Sequence, residues 1–376
     1  MKSKTILFGL LSFCVLHSCE YFEDLPIGGG NANGKTIQDL KYIDEYIIPD
    51  ATVFNGSIVG GLSGIDYKNG NWCFISDDAN PPIRFYEADI TYNLDGFTNV
   101  TINNMVELKD KDGNSFANGT VDPESIRYTK NGNIIWCSEG QINQGIAPFV
   151  RFSDTSGNFI DETQLADKYK ISTDNSKGPR HNGTFEGLSV AKYKQGYWVA
   201  MELPLIQDGE APKITDTESP VRIAYIDKNG NFGKEFAYEL DPVVRQATPT
   251  SFTVNGLVEV LEYKKNRFLV LERSFSTGFS DGGNDVKIYE VDASNATDIS
   301  NIPSLTDATY TTSKKTLLFD LEDIRSLLAD GVIDNIEGIT FGPVLENGHR
   351  SLVLVADNNF SAFGPQLNQF ILFEVL

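Results

Sequence analysis

Cysteine and histidine are scarce in this chain of 376 residues, with four of the first and three of the second. Cys14 and Cys19 fall close to the start, so the body of the chain holds only Cys73, Cys137, His181 and His349. That shortage argues against a zinc site built on several histidines. Cys73 and Cys137 each follow a tryptophan on an apolar run, and the sequence leaves open whether they pair or sit as small buried core residues. Positive charge is short as well: 31 Lys and Arg stand against 52 Asp and Glu, a formal charge of −21. A surface this acidic repels nucleic acid and anionic lipid heads, and a phosphate-bearing substrate would need a cation as go-between. There is no G-x-x-x-x-G-K-[ST] phosphate loop. The apolar run "ILFGLLSFCVL" at 6–16 is too short to cross a bilayer as a helix.

That run, preceded by Lys2 and Lys4, reads as a secretory signal over residues 1–18. "LHSC", Leu16 to Cys19, resembles a bacterial lipoprotein cleavage box, which would make Cys19 the lipidated first residue. Residues 19–35, acidic and then rich in Gly and Asn, resemble the tethers of surface lipoproteins in the Bacteroidota. The expectation is an outer-membrane or cell-surface protein held by lipid alone, with leaflet and face left open. Losing the signal removes two lysines and no acid, leaving 29 basic against 52 acidic residues, or −23. Residues 36–376, 40% hydrophobic over the whole chain with evenly spread Gly and Asn turns, read as one globular domain and a monomer.

What the chain has in quantity is a repeated hairpin. "DPESIRYTKNGNIIWCSEG" at 122–140 joins two apolar runs through Asn131-Gly132, the pattern of a two-residue turn with positive φ at both centres. Related stretches start at "GLSGIDY" (61), "FEGLSV" (185), "GLVEVLEY" (256) and "IEGITF" (336). Aligned on Ser63, Glu124, Glu186, Glu259 and Glu337, they lie 61, 62, 73 and 78 residues apart, which is the size of a propeller blade. A second strand pair follows each of the first four hairpins. After the fifth only "QFILFEVL" remains, so "TIQDLKYIDEYII" near the start is expected to complete that blade and close the ring. The fold expected is all-β: a β-propeller of about five four-stranded blades, with six compatible if the loops at 204–219 and 293–312 hide strands. One helix is expected over 320–331, between blades.

The acids follow the repeat. Each hairpin ends its second strand with one, at Asp77, Glu139, Glu202, Glu272 and Asp357, and four begin the first strand with one. Antiparallel pairing brings both positions to one face, so nine carboxylates are expected to converge near the axis, where their repulsion calls for cations, arginines or retained protons. Hard oxygen donors suit calcium, with Asp77, Asp78, Glu124, Glu259, Glu272, Asp357, Asn358 and Asn359 as candidate ligands. Glu139, Glu186, Glu202 and Glu337 are candidate catalytic carboxylates, and Arg180, His181 and Arg273 candidate substrate contacts. Calcium as a structural plug, or arginines paired to the acids themselves, are the competing readings. "GFSDG" at 278–282 fits a serine-esterase pattern, but it reads as a loop and not a strand-to-helix turn.

The stretches "GGLSGIDY", "ISDD", "DPESIR", "WCSEG", "NGTFEGL", "MELPLIQDG", "LVLERSF", "NIEGITFGP", "VLVADNNF" and "LNQFILFEV" span 60–375 in order and resemble the phytase-like family, described as having esterase-like activity of phytase. The resemblance implies a propeller and hydrolysis of a phosphoester or carboxylic ester, with a metal-activated water if the calcium chemistry of propeller phytases carries over. A non-catalytic propeller that binds a ligand or a partner protein at the same funnel is the alternative.

Overall fold

The computed structural model describes residues 36–376 apart from 175, 250 and 363–364; the leader, Cys19 and the tether lie outside the described residues. Strand β1 (Leu40–Ile48) comes first, followed by the short hairpin β2 (Val53–Phe54) and β3 (Ser57–Ile58). Blade 1 contains β4 (Leu62–Lys68), β5 (Asn71–Ser76), β6 (Arg84–Asn93) and β7 (Gly96–Glu107). Blade 2 contains β8 (Pro123–Tyr128), β9 (Ile134–Ser138), β10 (Phe149–Ser153) and β11 (Phe159–Glu162). Blade 3 contains β12 (Phe185–Val190), β13 (Gly196–Met201), β14 (Pro220–Asp227) and β15 (Phe232–Glu239). Blade 4 contains β16 (Thr253–Lys264), β17 (Arg267–Ser276), β18 (Asn284–Asp292) and β19 (Lys314–Asp320). Blade 5 contains β20 (Asn335–Val344), β21 (Arg350–Asp357) and β22 (Asn368–Val375), and β1 joins it antiparallel to β22. The propeller therefore has five blades, closed by its N-terminal strand.

Burial explains why the strands read as they do. Inner and middle strands are covered by neighbouring blades on both faces, so β13 is apolar throughout, β22 is apolar over Phe370–Phe373, and both are buried along their whole length. Outer strands keep one face in water, and β7 alternates accordingly. The inner strands β4, β8, β12, β16 and β20 pack side by side in a closed ring. Between blades lie four apolar clusters, and the second strands of blades 1, 2 and 3 each bury a tryptophan in one of them: Trp72, Trp136 and Trp198.

Two local expectations change, and the open question of the cysteines is answered. The hairpin at Asn131-Gly132 is not a two-residue turn: β8 stops at Tyr128, Gly132 N–H donates to Thr129 O at 3.0 Å, and only Gly132 takes positive φ. The segment expected as a helix forms 3-10 turns at Leu321–Leu327 and Ala329–Gly331, which pack Leu321 and Ile324 into the cluster between blades 4 and 5. Cys73 and Cys137 are buried free thiols on different blades.

Candidate functional site: a carboxylate funnel

A bulge in every inner strand builds the funnel. The pairing of first and second strands shifts between Leu62 and Gly64, Pro123 and Ile126, Phe185 and Gly187, Leu257 and Glu259, and Ile336 and Gly338. The extra residue at each bulge is re-aimed out of the ladder, and it is Ser63, Glu124, Glu186, Val258 and Glu337. On the second strand, one place beyond the partner of the residue before each bulge, come Asp77, Glu139, Glu202, Arg273 and Asp357. Seven of the nine expected carboxylates thus stand in equivalent places, and blade 4 breaks the pattern with a valine and an arginine.

Glu259 and Glu272 are the two that the structure moves elsewhere. The blade 4 alignment slips by one residue, and a one-residue slip in a strand reverses the direction of the side chain. Glu259 occupies the column of Gly64, Ser125, Gly187 and Gly338, and points into the ring. There its Oε2 sits 2.6 Å from Arg127 Nη2 and accepts from Ser125 Oγ, while Oε1 accepts from Leu188 N. Arg127 also donates to the carbonyls of Leu188 (2.7 Å), Ile339 (3.1 Å) and Ile65, so one guanidinium and its partner touch all five inner strands. Glu272 turns away to Lys315 (2.8 Å), Asn255 (2.8 Å) and Tyr238. Asp78 is held by Arg84 at 2.8 Å, and Asn358 accepts from the backbone N–H of Gly61 and Phe360, tying blade 5 to blade 1. Arg180 braces a loop through the carbonyls of Pro204 and Gly209. Each of these groups already has the partner that a metal or substrate would have supplied. Asn359 stands at the rim, its N–H donated to Asp357 Oδ1 at 2.7 Å.

The remaining acids converge. Ligand oxygens of Asp77, Asp122 and Glu124 lie within 4.8 Å of one another, as do those of Glu124, Glu139 and Glu186. Asp122 was not foreseen, although it opens the same "DPES" motif two residues before Glu124. Burial pushes the carboxyls of Asp77, Glu124, Glu139, Glu186 and Asp357 well above their usual range, and their neighbours' charges push the same way. Asp122 beside Asp77 pushes the Asp77 carboxyl further up, and burial raises Asp122 itself. Exposed His181 lies close enough to Asp122 for its charge to favour that carboxylate.

Arg273 is the cation of this cluster. Its Nη2 lies 3.4 Å from Glu202 Oε1 and 3.5 Å from Glu337 Oε1, and Nη1 donates to Asn335. Burial still lifts Glu202 to about 7. Glu202 Oε2 and Glu337 Oε2 are buried with no hydrogen-bond partner. Orphaned buried carboxylate oxygens, two oxygen triads and a single arginine make a donor set that fits a hard divalent cation such as calcium. Ser280 of "GFSDG" is exposed in the β17–β18 connection on the funnel face. By strand direction His349 lies at the opposite face, 2.6 Å from Glu374, so no Ser-His pair forms.

Fold and site together define a five-bladed β-propeller with a carboxylate-lined funnel at one end of its axis. Residues 57–360 match the phytase-like family described as "Esterase-like activity of phytase", and the chain belongs to that family. Among curated proteins none matches. Solved structures similar to it include an endo-arabinase from Bacteroides thetaiotaomicron (11% identity, 88% of this chain and 97% of that one, TM-score 0.42). A putative glycoside hydrolase from Bacteroides ovatus gives 13%, 92%, 96% and 0.43, and the catalytic domain of a Coprinopsis cinerea GH62 alpha-L-arabinofuranosidase gives 11%, 93%, 94% and 0.39. Likeness this distant carries no information about chemistry.

Proposed function

We propose that the chain is a calcium-dependent hydrolase of phosphoester or carboxylic ester substrates, carried on the cell envelope by a lipid on Cys19. The observation that supports it is the funnel itself: two overlapping carboxylate triads beside Glu202 and Glu337, each of these two with a buried oxygen that has no hydrogen-bond partner among the described residues. Asp77, Asp122, Glu124, Glu139 and Glu186 would hold the ion, with Asp357 at the margin. When bound, calcium supplies Lewis-acid polarisation of an ester or phosphoester oxygen and of water. Glu202, with a pKa lifted to about 7, exchanges a proton readily near neutral pH, as general acid–base work needs. Arg273 keeps Glu202 and Glu337 in place and carries the positive charge that an anionic group entering the funnel would meet. His181 is a further anion contact at the rim.

The test is turnover by the full mature chain on aryl esters, aryl phosphates and inositol phosphates, with calcium and with chelator. Calcium-dependent hydrolysis of one class is expected, and Glu186→Gln or Glu337→Gln should abolish it while the propeller stays folded. No turnover on any of the three classes would overturn the hydrolase reading and leave a binding propeller.

A further inference from the structure

The turns that join first and second strands lie around the axis at the face opposite the funnel, and in four blades they are basic. Blade 1 places Lys68 there, blade 2 Lys130, blade 3 Lys192 and Lys194, and blade 4 Lys264 and Lys265, with no acid in the turns at 67–71, 129–133, 191–195 and 263–267. Lys130, Lys192, Lys194 and Lys265 are exposed. Lys68 Nζ donates to the carbonyls of Thr129 at 2.7 Å and Lys130 at 3.1 Å, and Lys194 Nζ lies 4.5 Å from the Tyr225 ring centroid, so neutral groups help to hold the ring. Arg267 is paired with Glu290 and Asp292, and the blade 5 turn carries Glu346 as well as Arg350, so neither adds net charge. Beneath the ring, Asp66 and Glu262 are buried and accept backbone N–H groups of Tyr128, and of Lys192 and Asn266. Glu87, Asp154 and Asp227 stand farther from the axis, on third strands and outer turns. The chain enters the propeller at this same face: Leu40 pairs with Val375, at the end of β22 remote from the funnel, and Gln38 N–H donates to Leu376 O at 3.0 Å.

We infer that the basic ring is a docking surface for the phosphate headgroups of an anionic lipid surface, which turns the funnel away from the bilayer and toward soluble substrate. The orientation rests on the Cys19 anchor proposed above, whereas the surface itself does not. Cys19 stands 17 positions before Thr36, a reach of up to about 60 Å at ~3.5 Å per residue. That length lets the disc turn over, so the ring and not the tether sets the orientation. The net charge of −21 opposes the contact at long range, but the funnel acids lie a strand's length behind the ring. The 7 residues of β4 span about 23 Å at ~3.3 Å each, more than twice the Debye length of ~10 Å at about 0.1 M salt. The lysines that touch the headgroups are screened least, and each strengthens binding about fivefold.

Vesicle sedimentation of the full mature chain carrying Cys19→Ala, in chelator, tests the surface without anchor or turnover. The chain should bind phosphatidylcholine vesicles containing about 30% phosphatidylglycerol at about 0.1 M salt, lose them at about 0.5 M, and ignore pure phosphatidylcholine. Lys130→Gln, Lys194→Gln and Lys265→Gln together should weaken binding on the order of a hundredfold. The same change of charge on the funnel side, Lys111→Gln with Lys177→Gln and Lys213→Gln, should leave it within about twofold. No binding to the anionic vesicles, equal binding to the neutral ones, or equal loss in the two triple variants would overturn the docking surface. Any of those results leaves the anchor and the hydrolase reading standing, since neither enters the measurement.

Discussion

Arg127 on β8 and Glu259 on β16 meet at 2.6 Å, each side chain 1% exposed, where the five inner strands come closest. The pair joins blades that are not neighbours, and the guanidinium also donates to carbonyls of blades 1, 3 and 5. Glu259→Gln would leave the guanidinium charge buried without a counter-charge, which costs about 3–5 kcal/mol. Urea unfolding should show that loss, with any calcium-dependent turnover keeping its pH profile, because Glu259 lies outside the funnel. A loss below about 1 kcal/mol would mean that the pair does not hold the ring together.

Cation binding should stabilise the chain by mass action, since the unfolded chain cannot assemble the triads. A hundredfold excess over the dissociation constant contributes about 2.7 kcal/mol. Chelator should lower the melting temperature, and a melt indifferent to both calcium and chelator would count against a metal in the funnel.

Stability in chelator should depend on pH with a definite sign. Folding raises the pKa of the funnel carboxyls above their unfolded values, so the folded chain binds more protons over the interval between them. Stability from Glu202 is then complete below its ordinary value of 4.5 and is lost as pH rises through about 7. The other buried acids act in the same direction. The melting temperature should fall between about pH 5 and 8 in chelator, and calcium should flatten that slope.

Arg273→Gln removes the guanidinium that offsets Glu202 and Glu337. Calcium should bind on the order of tenfold more tightly, as repulsion of the ion disappears, while the chelated variant melts lower at pH 8 than the parent. Unchanged calcium affinity by titration would place the ion away from Glu202 and Glu337.

Cys19→Ala should release the protein from the membrane fraction, since anchoring is assigned to acyl chains on that residue alone. Sedimentation with membranes after a high-salt wash would contradict the anchor.

Blade number, strand pairs and ring closure were legible because each hairpin repeats a long apolar pattern with turns at blade-sized intervals. The funnel was legible in three blades for the same reason: an acid beside a glycine or serine marks the bulge at Glu124, Glu186 and Glu337. Blade 4 misled because "LVEVLEY" carries a glutamate one place beyond the bulge, and "LERS" sets Glu272 beside Arg273. Charge type aligned the wrong column. The glycine column would have found the right one, since Gly64, Gly187 and Gly338 let neighbouring backbones approach, and a Cβ at Gly187 would lie 3.0 Å from Glu259 itself. Arg127 was visible only as one more hairpin arginine, because its role depends on three carbonyls and a carboxylate distant in sequence.

The strand that finishes the fifth blade is made first and waits for the last. Lys41 on β1 bonds Glu374 on β22 across 333 residues, so the disc stays an open crescent until the C-terminal strand has arrived. That order keeps the ring from closing on itself before the whole domain has been made.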